Sequence, residues 1–184
     1  MCSSDLTWAI SHLARNENWQ QQVYAEVAPM HEYSPEQLDA SPKLNAVLNE
    51  TLRLTPSLYF LPRKATVETR VETSDGRVML IPSGTHVLLD VWHANRNEEH
   101  WGEAVTGFAA NEFVPERWEC IAAQKCHSKD FLHFGFGHGS RVCPGKHLGQ
   151  LEVALVVGAL VKLFKFNAVN QANEAYAEIG RAHV

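Results

Sequence analysis

Ten residues restrict what this chain can fold into more than any other stretch: Phe136-Gly137-His138-Gly139-Ser140-Arg141-Val142-Cys143-Pro144-Gly145. Gly137 and Gly139 open backbone conformations closed to other residues and let a flat ligand approach the main chain. Pro144, with its fixed φ and missing N–H, suits a first helical position, which puts Cys143 at the N-cap. The positive helix end and its free N–H groups favour a thiolate there. Gly145 leaves the first helical turn without a side chain, so a planar group can lie against it. Arg141, two residues before the sulfur, can reach past it to an anionic ligand group.

A thiolate, an adjacent arginine and room for a planar ligand point to haem bound through sulfur. The stretch matches, position for position, the haem-binding loop of cytochromes P450, Phe-Gly-x-Gly-x-Arg-x-Cys-x-Gly, and the chain resembles that family. Taken alone, the same residues also describe a glycine-rich turn with a buried free cysteine. The resemblance implies haem b with its iron on the Cys143 thiolate and Arg141 on a haem propionate. It also implies Phe136 packed near the sulfur, with Gly137, Gly139 and Gly145 completing the haem-binding loop.

Two further segments extend the resemblance. Glu50 and Arg53 are neighbours at i and i+3 on a helical stretch, which by itself describes a solvated ion pair. P450s carry Glu-x-x-Arg about this far before the cysteine loop, with a second arginine between. Arg117, in Phe113-Val114-Pro115-Glu116-Arg117-Trp118, resembles that arginine, with Trp118 in the aromatic place. Glu50, Arg53 and Arg117 are then expected to form a structural triad that holds the scaffold. In Ser57-Leu58-Tyr59-Phe60-Leu61-Pro62-Arg63-Lys64, the resemblance makes Leu58, Tyr59 and Phe60 candidates for substrate contact and Arg63 a second propionate partner. Core packing and a surface arginine are the bland alternatives. His93, Asn95, Arg96, Trp101 and Gly102 resemble a structural stretch of the family and receive no catalytic role.

The rest of the chain fits this picture. Helical spacing covers 7–15, 19–27, 44–54 and 146–164, with Asn16-Glu17-Asn18 as a break. Ser34-Pro35-Glu36-Gln37 is a helix start. On the last helix, Leu148, Leu151, Leu155 and Ala159 form a stripe suited to a core or a haem, and Gly149 and Gly158 mark close packing. Short strands over 70–72, 77–81 and 87–92, with Asp75-Gly76 as a hairpin turn, predict one small antiparallel sheet. Residues 120–130 read as irregular, and 164–169 as the start of a last strand. The expected fold class is mainly α with a small antiparallel β-sheet (α+β), the C-terminal portion of the P450 fold. The expected domain is a single partial one over 1–184. Residues 1–6 and 178–184 back-translate to opposite-strand readings of a short-read sequencing adapter and are expected to be non-native.

Composition excludes some classes. The 184 residues are 45% hydrophobic with net charge −5, ordinary for a globular core and no support for nucleic-acid binding. Four cysteines make no disulfide framework, which suits a reducing compartment. Cys120, Cys126, His127 and His133 match no usual zinc spacing. The longest apolar run of the C-terminal half, 153–161, is too short to cross a bilayer.

The resemblance implies a haem-thiolate monooxygenase acting on a small apolar organic substrate with O2. The residue pattern is nearest to eukaryotic forms, which implies an NADPH-dependent flavoprotein reductase and a parent on the cytosolic face of the endoplasmic reticulum. The family is more than twice this length, and its oxygen-activating residues belong before Thr7, so the chain alone is expected to be inactive. A P450-fold isomerase or dehydratase and a catalytically inert fragment stay open as alternatives.

Overall fold

The computed structural model describes residues 3–73, 75–123 and 133–168. Among these the order is α1 (Ser3–Arg15), α2 (Glu17–Val27), α3 (Pro35–Asp39), α4 (Pro42–Leu54), β1 (Phe60–Lys64), β2 (Thr69–Glu72), β3 (Val78–Ile81) and β4 (His86–Asp90). There follow α5 (Val91–Ala94), α6 (Glu98–Trp101), α7 (Glu103–Thr106), α8 (Glu116–Ala122), a 3-10 turn (Gly139–Arg141) and α9 (Lys146–Leu163). The class is the mainly α arrangement with a little antiparallel β that the sequence predicts. Two compact units emerge, one from residues up to 51 together with those from 147 onward, the other from 52–146.

The first unit has an apolar helical core. Ala9, Leu13, Trp19, Val23, Val27, Leu38, Leu44, Val47, Val157 and Val161 are buried. α1 starts at Ser3, so residues set aside on sequence grounds extend this helix, and Asp5 puts a carboxylate in its first turn. The break expected over three residues shrinks to Asn16, whose Oδ1 accepts from Trp19 N at 3.2 Å and caps α2. Ser34 and Gln37 form a full capping box at α3. α4 is capped from outside its own sequence: Glu26 on α2 accepts from Lys43 N at 3.1 Å and Leu44 N at 2.9 Å.

α9 buries a different face from the stripe read in the sequence. Gly149, Val153, Ala154, Val157, Gly158 and Val161 face the core, while Leu148 is 71% and Leu155 40% exposed. Gly158 accounts for the closest packing. A Cβ on Gly158 would meet Tyr33 Cε1 at 3.5 Å and Leu44 Cδ2 and Val27 Cγ1 at 3.7 Å, so that face packs closest. The last strand does not form over the described residues 164–168. That segment is tied by Gln20, which donates to Phe166 O at 3.0 Å and accepts from Phe166 N at 2.8 Å.

The second unit holds the strands, as two antiparallel pairs instead of one sheet. β1 pairs with β4 from Phe60↔Asp90 to Lys64↔His86, and β2 with β3 from Thr69↔Ile81 to Glu72↔Val78. β4 stops at Asp90, short of the expected Trp92, because Asp90 Oδ1 accepts from His93 N at 3.0 Å and starts α5. That bond holds the Asp90 carboxyl below its ordinary range.

α8 takes in Cys120, Ile121 and Ala122, which the sequence read as irregular. Cys120 is disulfide-bonded, where the cysteine count predicts no disulfide framework. Cys2, Cys126, His127, Phe131, Val169 and residues 178–184 lie outside the described residues. Among the described residues no cluster of three or more His, Cys, Asp or Glu could hold a metal ion, and no helix is long and apolar enough to cross a membrane.

The core of this unit is unusual in being polar. Arg53 and Arg117 are fully buried, and both donate to main-chain carbonyls. Arg53 donates to Asn95 O at 2.8 Å, Ala110 O at 2.6 Å and Glu112 O at 3.0 Å. Arg117 donates to Trp101 O at 2.5 Å, Phe108 O at 3.3 Å, Ala109 O at 2.9 Å and the Thr106 hydroxyl.

Two stability predictions follow from these caps. Glu26→Ala removes an acceptor from two N–H groups of α4 and should lower unfolding free energy by about 1 kcal/mol. Arg117→Met leaves several buried acceptors unpaired and should cost about 3 kcal/mol or more. Urea denaturation followed by tryptophan fluorescence measures both.

Candidate functional site

The loop 133–145 lies in the second unit and is closed by its own main chain. Gly137 N donates to Phe134 O at 3.0 Å, Val142 N to Gly139 O at 3.1 Å, and Cys143 N to Phe136 O at 2.9 Å. Gly137 (φ 77°) and Gly139 (φ 67°) are left-handed, a geometry that a Cβ strains. Phe136, Gly137, Gly139, Arg141, Cys143 and Gly145 are thus brought onto one tight loop, as the sequence expects.

The helix start is displaced. α9 begins at Lys146, so Cys143 is not its N-cap and Pro144 is not its first residue. Cys143 O instead accepts from Lys146 N at 3.2 Å, and Cys143, Pro144 and Gly145 make a turn ahead of the helix. Gly145, a poor helix former, favours the turn. Cys143 is a free, half-buried thiol. A Cβ on Gly145 would meet Cys143 Sγ at 3.9 Å and nothing nearer, and one on Gly139 would meet nothing within 4 Å. Gly145 therefore places no side chain against the sulfur.

β1 runs beside this loop. A Cβ on Gly137 would meet Leu61 Cδ1 at 3.9 Å. Leu61 and Arg63 share the more buried face of β1, two residues apart, so Arg63 points to the side that carries the loop contact. Its guanidinium donates to Pro62 O at 2.9 Å. Arg141 is exposed. Neither arginine has a carboxylate partner among the described residues. Two cations, one free thiol and an exposed Val142 are an appropriate set for a planar, dianionic, largely apolar group bound through a soft metal.

Leu58, Tyr59 and Phe60 lead into β1 and are 63%, 44% and 52% exposed, so they are not core residues of this unit. The Tyr59 ring packs edge-on against Trp92 at 5.1 Å.

Of the three residues read as a triad, Glu50 and Arg53 lie on α4 and Arg117 on α8, and all three are fully buried. The two arginines converge on Trp101. Arg53 Cζ is 5.2 Å from its ring centroid, and Arg117 donates to its carbonyl. Trp118 stacks at 5.6 Å from Trp101 and meets His133 edge-on at 5.1 Å. The sequence reading missed Asn95 as a bridge: fully buried, it takes Arg53 on its carbonyl and donates no information to the sequence beyond an asparagine beside an arginine.

Comparison with known proteins agrees with this geometry. The family model for cytochrome P450 matches residues 2–179. Cytokinin hydroxylase of Arabidopsis thaliana is 34% identical over 165 residues, covering 88% of this chain and 30% of the relative. Geraniol 8-hydroxylase of Catharanthus roseus is 32% identical over 169 residues, 89% of this chain and 32% of the relative. Germacrene A hydroxylase of Helianthus annuus is 30% identical over 176 residues, 93% and 34% respectively. The chain spans about a third of the length of these curated relatives. With a match along nearly its whole length and the cysteine loop folded as described, the chain belongs to the cytochrome P450 family.

Proposed function

We propose that this chain is the haem-binding portion of a haem-thiolate monooxygenase that hydroxylates a small apolar organic molecule. The observation that carries the reading is the Cys143 loop: a free thiol held by Cys143 N–H to Phe136 O, with no side chain on the neighbouring Gly145. The names of the relatives, each a hydroxylase of a small organic compound, support the reaction class.

In this reading the Cys143 thiolate would hold the iron of haem b, and that group would supply the dioxygen chemistry by which one oxygen atom enters the substrate. Arg141 and Arg63 hold the two propionates through charge-assisted hydrogen bonds. Phe136 shields the sulfur, and Gly137, Gly139 and Gly145 keep side chains off the porphyrin face. Glu50, Arg53 and Arg117 act together as a buried scaffold with no chemical step of their own. Leu58, Tyr59 and Phe60 present exposed apolar surface to substrate.

Electrons come from an NADPH-dependent flavoprotein reductase, and the whole protein works on the cytosolic face of the endoplasmic reticulum membrane. Because the chain spans about a third of its relatives' length, we propose that turnover needs sequence beyond these residues.

Haem titration tests the ligand assignment. The full chain reconstituted with haem, reduced and exposed to carbon monoxide should give a thiolate-type Soret band, and Cys143→Ser should lose it. A thiolate band that survives this substitution would overturn the reading. Arg141→Gln removes a charged hydrogen bond to a propionate and should weaken haem binding by roughly tenfold, read in the same titration.

A further inference from the structure

We infer that Asn95 is the positioning residue that couples the buried arginine of α4 to the Cys143 loop. This rests on the reading of Cys143 as the ligand, although its test does not. Asn95 is fully buried, just after α5. Three of its groups are used in three directions. Its N–H donates to Val91 O at 3.0 Å, which fixes it to α5. Its carbonyl accepts from Arg53 Nη1 at 2.8 Å. Its side-chain Oδ1 accepts from Phe134 N at 3.2 Å, at the start of the loop.

From there the bonds continue along the loop. Phe134 O takes Gly137 N–H, and Phe136 O takes Cys143 N–H. The guanidinium of Arg53 is thus linked to Cys143 through Asn95, Phe134 and the Phe136–Gly137 peptide, with Asn95 and Phe134 as the links between elements. Arg53 itself reaches Asn95 O, Ala110 O and Glu112 O, none of which belongs to the loop. The side chain of Asn95 carries the connection forward.

The geometry also says why the residue is an asparagine. The position needs a short side chain with an acceptor aimed at a main-chain N–H inside a fully buried site. Its Nδ2 has no hydrogen-bond partner among the described residues, and the acceptor alone makes the link. An aspartate keeps the acceptor, and its added charge falls on the residue whose carbonyl already takes the Arg53 guanidinium. A leucine keeps the volume and leaves Phe134 N–H unpaired, and leaving a buried donor without a partner opens the local structure by about tenfold or more in equilibrium.

Amide hydrogen exchange and thiol alkylation of the full chain test this without haem. In Asn95→Leu, exchange of the amides in 134–143 and alkylation of Cys143 should both rise by about tenfold, with α2 amides unchanged. Asn95→Asp should stay within a few fold of the parent chain at both readouts. Val23→Ala, in the other unit, serves as a control for general destabilisation and should leave Cys143 alkylation unchanged. Unchanged exchange in Asn95→Leu, or an equal rise in Asn95→Asp, would overturn the role of Asn95. A Cys143→Ser chain that keeps a thiolate band would overturn the ligand reading alone and leave these exchange results standing.

Discussion

Two guanidinium groups with no solvent exposure govern the second unit. Burying a cation is expensive unless its donors are met. Here Arg53 and Arg117 meet main-chain carbonyls, and the segment that supplies them explains why. Between Asn95 and Glu112 the chain forms only α6 and α7, four residues each. A helix that short satisfies almost none of its own carbonyls. The arginines take up the carbonyls at 95, 101, 108, 109, 110 and 112, of which 101, 108 and 109 also accept from Thr106 or Glu112. The irregular segment and the buried cations are each costly alone. Together each removes the other's penalty.

The cysteine loop uses the same economy of donors on a smaller scale. It has no regular structure beyond one 3-10 turn, yet three of its N–H groups close on carbonyls within the loop. Two left-handed glycines make those closures possible. The sulfur is therefore held by the turn and not by the helix that follows, because α9 starts only at Lys146. An electrostatic contribution from the helix end has to act across that turn. Position, set by Cys143 N–H to Phe136 O, is the stronger constraint on the thiol.

Much of this was legible before any coordinates. The glycine spacing of 136–145, the capping box at Ser34 and the packing glycine at 158 each carry a local steric reason, and each appears in the structure. What stayed hidden depends on partners distant in sequence. Glu26 caps a helix that begins at Pro42, and nothing near either residue announces it. The buried face of α9 was misread because leucines outrank glycines in hydrophobicity, while close approach is decided by the small residues. The predicted strand at 164–169 failed over its described part because Gln20, nearly 150 positions away, claims Phe166 on both sides of its peptide unit. The candidate site shows the same division. Its loop residues are neighbours in sequence, whereas Asn95 meets Arg53 and Phe134 across 42 and 39 positions.

The two units also differ in how they hold a shape. In the first, leucine, valine and tryptophan side chains fill a core whose attraction has no direction, and such cores tolerate substitutions that conserve volume. In the second, the largest buried side chains include arginines, each bonded at fixed distances to named carbonyls. Directional bonds specify position more tightly than apolar contact does, and they tolerate little. A side chain that has to stand at one place needs the second kind of support. The loop that carries Cys143 is built in the unit that provides it, one hydrogen bond beyond Asn95 and two beyond Arg53.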